Sequence, residues 1–368
     1  MHKHPVQGAG RRPAGAGGWG RPRWVVATAM ALVFLAFVPV RGQEPHRVPM
    51  TIDGNGVMRW TETGDEVALF GVNYSTPFAH GYRAHGYIGA DRRHAIDVDV
   101  DHLARLGVDA FRIHVWDRQI SDLDGNLVEN EHLDLLDYLI HRLAERGIRT
   151  VLTPIAWWPP GYPEPAPETR GLSDLFDKGG MTTEPSARAP QANYLKQFVG
   201  HVNPHTGVSF RDDPNVLAFE VFNEPDHPGG AEATTAYIDD MVAALREAGV
   251  EKPIFYNISQ GSSETHGRAV CAANVQGVTY QWYPTGLVRN SAIGGNMLPN
   301  VDRYTSPYTE LEECRDKALL VYEFDAADVG GSYMYPAMAR SFRGAGVQWA
   351  TQFAYDPARC IGCRACLA

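Results

Sequence analysis

The stretch Val216-Leu-Ala-Phe-Glu-Val-Phe-Asn-Glu-Pro225 follows the turn-like Asp212-Asp213-Pro214-Asn215 and precedes Asp226 and His227. It is an apolar, β-prone run of strand length that halts abruptly at Asn223-Glu224-Pro225. Proline has no N–H to give a strand ladder, so Pro225 marks the expected end of the strand. Glu224 is then a carboxylate at the C-terminal mouth of a buried strand. Taken alone, the same letters also describe a strand ending in an ordinary acidic loop, so the partner strands decide.

Those partners recur along the chain. A β-prone run at 67–74 is the first, preceded by a shorter run at 56–60 across a Gly-Asp turn, which reads as a hairpin. Further strands are expected at 109–116, 148–155, 253–258, 277–283, 318–324 and 347–353, with the opening stretch as the fourth. Helical spacing of apolar residues separates several of them, at 96–106, 132–146, 192–202 and 234–248, with Gly107, Gly147 and Gly249 as stop signals. Strands alternating with helices imply parallel βαβ units, and eight of them imply an α/β fold of the (β/α)8 TIM barrel class. The competing doubly wound sheet lacks support, because no Gly-x-Gly-x-x-Gly turn follows the first strand. In a parallel barrel, chemistry is done at the C-terminal mouth of the strands.

Upstream of the barrel, Lys3, Arg11, Arg12, Arg21 and Arg23 precede the apolar run from Trp24 to Val40, and Arg41-Gly42-Gln43 follows it. This is the layout of a secretory signal, with cleavage expected after Gly42 and a secreted or periplasmic product. The expected organisation is a signal peptide at 1–42, an N-terminal segment and hairpin at 43–66, a barrel domain at 67–357 and an atypical Cys-rich end at 358–368. The net charge is −10, and the leader carries only basic residues, so the remainder is more acidic still. Nucleic acid and anionic membranes are poor partners for such a chain. A monomer without cofactor is expected. The histidines show no His-Glu-x-x-His spacing and Asp122-Leu-Asp-Gly-Asn126 places its glycine too early for an EF-hand, so no metal site is read.

Glu323 repeats the pattern of Glu224, standing near the end of the apolar Leu319-Leu-Val-Tyr-Glu-Phe324. In a closed barrel the fourth and seventh strands face each other across the mouth, so the two carboxylates can converge on one glycosidic bond. With Arg112 on the second strand, Asn223-Glu224-Pro225 on the fourth, Tyr283 after the sixth, Glu323 on the seventh and Trp349 on the eighth, the chain from Val67 to Phe353 resembles the retaining glycoside hydrolases built on (β/α)8 barrels, most closely the cellulase-like family 5. The resemblance implies Glu224 as acid/base, Glu323 as nucleophile and Asn223 as the contact to the sugar 2-hydroxyl. It implies Arg112 and Tyr283 as the groups that hold the nucleophile, and Trp349 as the floor of the sugar subsite. The substrate class it implies is a β-linked poly- or oligosaccharide.

The sequence departs from that family at two places. Gln281 stands where a histidine usually precedes the sixth-strand tyrosine, and the third strand ends in Pro154 to Trp158 without a histidine, for which His114 is the nearest substitute. A sugar-binding barrel without turnover is the rival reading that these departures leave open. Trp158 and Trp282 are the preferred sugar platforms among several aromatic residues that could equally be packing. Asn257 and Gln260 read either as sugar contacts or as loop caps. Of the five cysteines, Cys271 and Cys314 are candidates for a disulfide. Cys360-Ile-Gly-Cys-Arg-Ala-Cys366 resembles the start of a ferredoxin motif without its fourth cysteine. No helix fits after the eighth strand, so the barrel is expected to lack its final helix and to lose stability.

Overall fold

Short apolar runs, each closing on a polar residue, form eight parallel strands: β1 (Leu69–Asn73), β2 (Ala110–His114), β3 (Arg149–Thr153), β4 (Val216–Glu220), β5 (Ile254–Asn257), β6 (Gly277–Trp282), β7 (Ala318–Phe324) and β8 (Trp349–Gln352). A computed structural model describes residues 48–73, 81–158, 170–259, 261–289 and 291–353. The strands pair in chain order and close where Trp349 of β8 meets Leu69 of β1. Every residue of β2, β4 and β5 is buried. Strands covered on both faces lack a polar side, which is why they read as unbroken apolar runs rather than alternating ones.

Among the described residues six longer helices surround the barrel: α1 (Arg92–Leu106), α2 (Glu131–Glu145), α3 (Pro185–Gly200), α4 (Gly230–Glu247), α5 (Glu264–Ala272) and α6 (Met334–Gly344). Side chains set their starts. Asp91 accepts the His94 N–H before α1, Asn130 accepts the Leu133 N–H before α2, and Pro185 opens α3 where a missing N–H is harmless. Between β6 and β7 the described residues contain only two 3-10 turns, Leu298–Val301 and Glu312–Cys314. A disulfide from Cys271 on α5 to Cys314 ties this irregular connection down, with their Cα atoms 5.2 Å apart.

Two expectations change. The run at 58–60 does meet 65–67 across its turn, through an Arg59–Glu66 bridge and the Val67 N–H on the Met58 carbonyl, but the ladder of the N-terminal hairpin is with Met50–Ile52 around the turn at Asp53. Its buried Met50 and Met58, with Val67, pack against Leu217, Phe255, Leu320 and Trp349 inside the barrel. The Gln348 side chain fastens the plug by donating to the Met58 and Val67 carbonyls and accepting from the Met58 N–H. The fourth strand, moreover, stops at Glu220 and not at Pro225. Beyond it, among the described residues, Phe222 makes an isolated bridge to Ile155 before Glu224 turns into a left-handed conformation that no ladder accepts. The expected signal peptide, Gln260, the absent final helix and the terminal cysteines lie outside the described residues.

The disulfide closes a loop of sequence separation 43. Chain-entropy scaling gives its loss a cost of about 4 kcal/mol. The Cys271→Ser/Cys314→Ser double variant is expected to unfold at a correspondingly lower urea midpoint, and an unchanged midpoint would show the connection to be held by packing alone.

Candidate active site

Past the end of β4 the chain places Glu224 at φ 49°, in the left-handed region a non-glycine residue seldom occupies. Such strain costs on the order of 1–3 kcal/mol and persists only where neighbours enforce it. Here Asn257, at the end of β5, accepts the Glu224 N–H at 3.0 Å. The carboxyl is held as well, Oε1 accepting from the Tyr322 hydroxyl at 2.7 Å.

Glu323 sits opposite on β7 and is 6% exposed. Its Oε2 accepts from the Tyr283 hydroxyl at 2.8 Å, while Oε1 lies 3.0 Å from His114 Nε2 and 3.4 Å from Arg112 Nη1. His114 thus reaches this glutamate from the second strand. Its ring is kept neutral, because burial and then the neighbouring Arg112 depress its pKa to about 3.

Beneath both lies a carboxylate that the sequence reading passed over. Glu220 is wholly buried and accepts Arg112 Nε at 2.7 Å, with Arg112 Nη2 on the same oxygen. Thr153 donates to it at 2.7 Å, Asn257 Nδ2 at 3.0 Å, and the Thr279 hydroxyl also binds. Arg112 was expected to serve Glu323 first. Its principal partner is Glu220, and it further donates to Asn73 Oδ1 at 3.0 Å and Asn223 Oδ1 at 2.9 Å. Burial opposes the charge on Glu220, yet Arg112 and the neutral donors more than offset it and hold the pKa below the ordinary value.

The remaining candidates divide. Asn223 and Tyr283 join the cluster, and Gln281 is buried in register with Glu323. Trp349 does not floor a subsite: at the start of β8 it is 0% exposed among the apolar residues inside the barrel, its Nε1 without a hydrogen-bond partner. Phe353, just beyond β8, instead brings its ring to 6.2 Å from that of Tyr283. Trp282 packs edge-on against Tyr304 and Phe342, in the cluster under α6, so it is a packing residue more than a platform. Trp158 is half-buried beside Trp116, with Lys178 Nζ 5.5 Å from its ring. Asn257 proves to be a brace for Glu220 and Glu224. A charged residue inside an otherwise apolar strand was the available signal for Glu220. Tyr322 and Phe353 carried no comparable signal.

Both mouth carboxyls resist ionisation. Burial pushes Glu323 up to about 7 against the pull of Arg112 and Tyr283, and burial followed by the charge of Glu323 raises Glu224. Carboxyls that sense each other take up their first proton as a pair. Hydrogen bonds then decide its place: Glu323 accepts from Tyr283 and Arg112, whereas Glu224 faces the Tyr322 hydroxyl, so the charge is better held on Glu323.

A closed parallel barrel with two glutamates at the mouth, one poised to keep a proton and the other a charge, has the layout of the glycoside hydrolases that the sequence resembles. No protein-family model matches the chain. Among curated proteins it is 30% identical over 134 residues to mannan endo-1,4-β-mannosidase 5 of Arabidopsis thaliana, covering 35% of this chain and 28% of that one. It is 26% identical over 139 residues to mannan endo-1,4-β-mannosidase 8 of Oryza sativa subsp. japonica, covering 34% and 36%. The chain therefore spans roughly a third of the length of the curated relatives it matches. Among solved structures, the glycoside hydrolase family 5 mannosidase of Rhizomucor miehei superposes with a TM-score of 0.63 at 14% identity, over 84% of this chain and 86% of that one. The endo-β-1,4-mannanase of Thermotoga petrophila gives 0.58 at 15%, over 79% and 68%. At these identities the structures establish the shared barrel. The resemblance to family 5 thus stands on local sequence similarity and on the fold together.

Two variants test the site's energetics. Glu220→Ala leaves Arg112 buried without its main counter-charge and is expected to lower stability by about 3–5 kcal/mol in urea titrations. Glu323→Gln tests the raised carboxyl. Between pH 4.5 and about 7 the folded carboxyl pair keeps a proton that the unfolded chain has lost, so the pair's favourable contribution is lost as pH rises through about 7. The Gln variant should therefore melt above the parent at pH 8, by on the order of 3 kcal/mol at most, with the gap closing towards pH 5.

Proposed function

We propose that the chain is an O-glycosyl hydrolase that cleaves β-linked poly- or oligosaccharides with retention, β-mannan being the first substrate to test. The observation that carries this reading is the unequal hydrogen bonding of the two mouth carboxyls. Glu323 attacks the anomeric carbon while Glu224 protonates the departing glycosidic oxygen, giving a glycosyl ester on Glu323 and a free leaving group. Esterification removes the charge on Glu323, so the pKa of Glu224 falls. Glu224 then takes a proton from water, whose oxygen displaces Glu323 from the same carbon. Asn223 has its Oδ1 occupied by Arg112, which leaves its amide N–H groups for the sugar 2-hydroxyl. Phe353 and Trp158 are the rings proposed to face sugar.

Mannan is favoured because the matched curated relatives are named as mannan-cleaving enzymes. Cellulose-type substrates belong in the same trial, since the Thermotoga maritima Cel5A structure with cellobiose also superposes, with a TM-score of 0.54. The test is hydrolysis of β-mannan, β-glucan and aryl β-glycosides by the parent, Glu224→Gln and Glu323→Gln, with the product anomer followed by proton NMR. Turnover with a β-anomeric first product is expected, together with a fall in kcat/KM of about 10²–10⁴-fold for Glu224→Gln. Activity should fall once the pH is low enough to place a second proton on the carboxyl pair, because only that proton removes the charge from Glu323. Sugar binding by a folded parent without turnover would support the binding-barrel reading instead.

We also propose export of the protein, which the buried Cys271–Cys314 disulfide favours, such bonds persisting in oxidising compartments.

A further inference from the structure

Tyr322 precedes Glu323, yet both side chains work at the mouth of the barrel. In a regular strand, consecutive side chains point to opposite faces. Leu320 and Tyr322 face the barrel interior with Trp349 and Ala110, so an unbroken β7 would turn Glu323 outwards. The ladder shows how this is avoided. Tyr280 pairs with Val321 and Gln281 with Glu323, while on the other side Val321 pairs with Ala350 and Phe324 with Gln352. Against both neighbours β7 carries one extra residue, a β-bulge of the kind that re-aims a side chain.

The bulge is braced. The Tyr322 carbonyl accepts from Asn73 Nδ2 at 2.8 Å and from the Thr351 hydroxyl. The Tyr322 ring lies under the Arg112 guanidinium, 4.7 Å from its centre, and the hydroxyl ends 2.7 Å from Glu224 Oε1. One irregularity in β7 therefore presents Glu323 to its donors and sends a phenol across to the other carboxyl.

We propose that Tyr322 is a positioning residue for Glu224: its hydroxyl occupies Oε1, so that the proton given to the glycosidic oxygen, and later taken from water, is carried by Oε2. This assignment rests on the glycosidase reading above. A phenol that donates to Oε1 leaves that oxygen no reason to hold the acidic proton, in either half of the cycle. The other groups acting on Glu224 are Glu323 on β7, His114 on β2, Lys178 ahead of α3, and Tyr280 and Tyr283 at the end of β6. Tyr322 is the one with a hydrogen bond to its carboxyl in the described residues.

The test is Tyr322→Phe, which removes one oxygen and keeps the ring under Arg112. Glycosides with poor leaving groups need the proton and those with dinitrophenyl leaving groups scarcely do, so a positioning role and a structural one separate by substrate. The expected result is a loss of kcat/KM at least tenfold larger for unactivated oligosaccharides than for dinitrophenyl glycosides, at an unchanged melting temperature. A second measurement needs no turnover. In the Glu323→Gln background, ¹³C-glutamate NMR should show the Glu224 titration midpoint rising by about one pH unit on Tyr322→Phe, the size of one lost charge-assisted hydrogen bond. Equal losses on both substrate types, or an unmoved midpoint, overturns the role of Tyr322 alone. A folded parent that turns over no glycoside overturns the reading beneath it, and the NMR midpoint tells the two failures apart. If Tyr322→Phe fails to fold, site-specific 3-fluorotyrosine, a stronger donor, should move the midpoint down instead, and a midpoint that stays put again overturns the proposal.

Discussion

The buried pair of Arg112 and Glu220 is the contact on which the site is built. Every strand from β1 to β7 supplies a group to it: Asn73, Arg112, Thr153, Glu220, Asn257, Thr279 and Glu323 in turn. The eighth joins one step removed, through the hydroxyl that Thr351 gives to the Tyr322 carbonyl. Taking both ions out of water is expensive, and their attraction repays it only when the remaining lone pairs and N–H groups find partners. In this barrel they do. The pair thereby fixes the relative placement of strands at the one end where chemistry is proposed, while the apolar plug of Met50, Met58 and Val67 fills the interior with Trp349.

Both mouth glutamates inherit their geometry from that pair. Glu220 holds Asn257, and Asn257 holds the strained backbone of Glu224. Arg112 holds Asn223, lies over Tyr322 and reaches Glu323. Strain at Glu224, the bulge in β7 and two carboxyls raised by burial are each unfavourable when considered singly. They survive because the supporting shell is satisfied and rigid, which is the condition for keeping a reactive geometry in place without substrate.

Much of this was legible in the sequence, and the limits have physical causes. The eight strands and the two mouth carboxyls follow from apolar runs that end in polar residues, since a buried parallel strand leaves little else to read. Residue 220 looked like one more strand position because a partner for its charge lies 108 positions away, at Arg112. The further partner of 58–60 is hidden in the sequence because Met50–Ile52 is three residues long and carries almost no pattern. Trp349 and Trp282 show the same limit from the other side: an aromatic letter near a strand end does not say on which face it lies. Only the register does, and the register of β7 and its neighbours shifts at the bulge.

The departures from the family pattern bear on this. A histidine is missing at the end of the third strand, and Gln281 replaces one on the sixth. What a buried carboxylate such as Glu323 needs, however, is a set of donors in a dry place and not a particular letter on a particular strand. His114 comes to within 3.0 Å of Glu323 from the second strand and is neutral there; its Nε2 also meets Arg112, whose N–H can only donate, so the ring adds no second full charge beside the guanidinium. Were it protonated, it would stand as a like charge against the guanidinium it touches, which is one of the two reasons its pKa is depressed. Glu323 therefore has Tyr283 and Arg112 as its donors with a neutral ring beside them, although neither a third-strand nor a sixth-strand histidine is present.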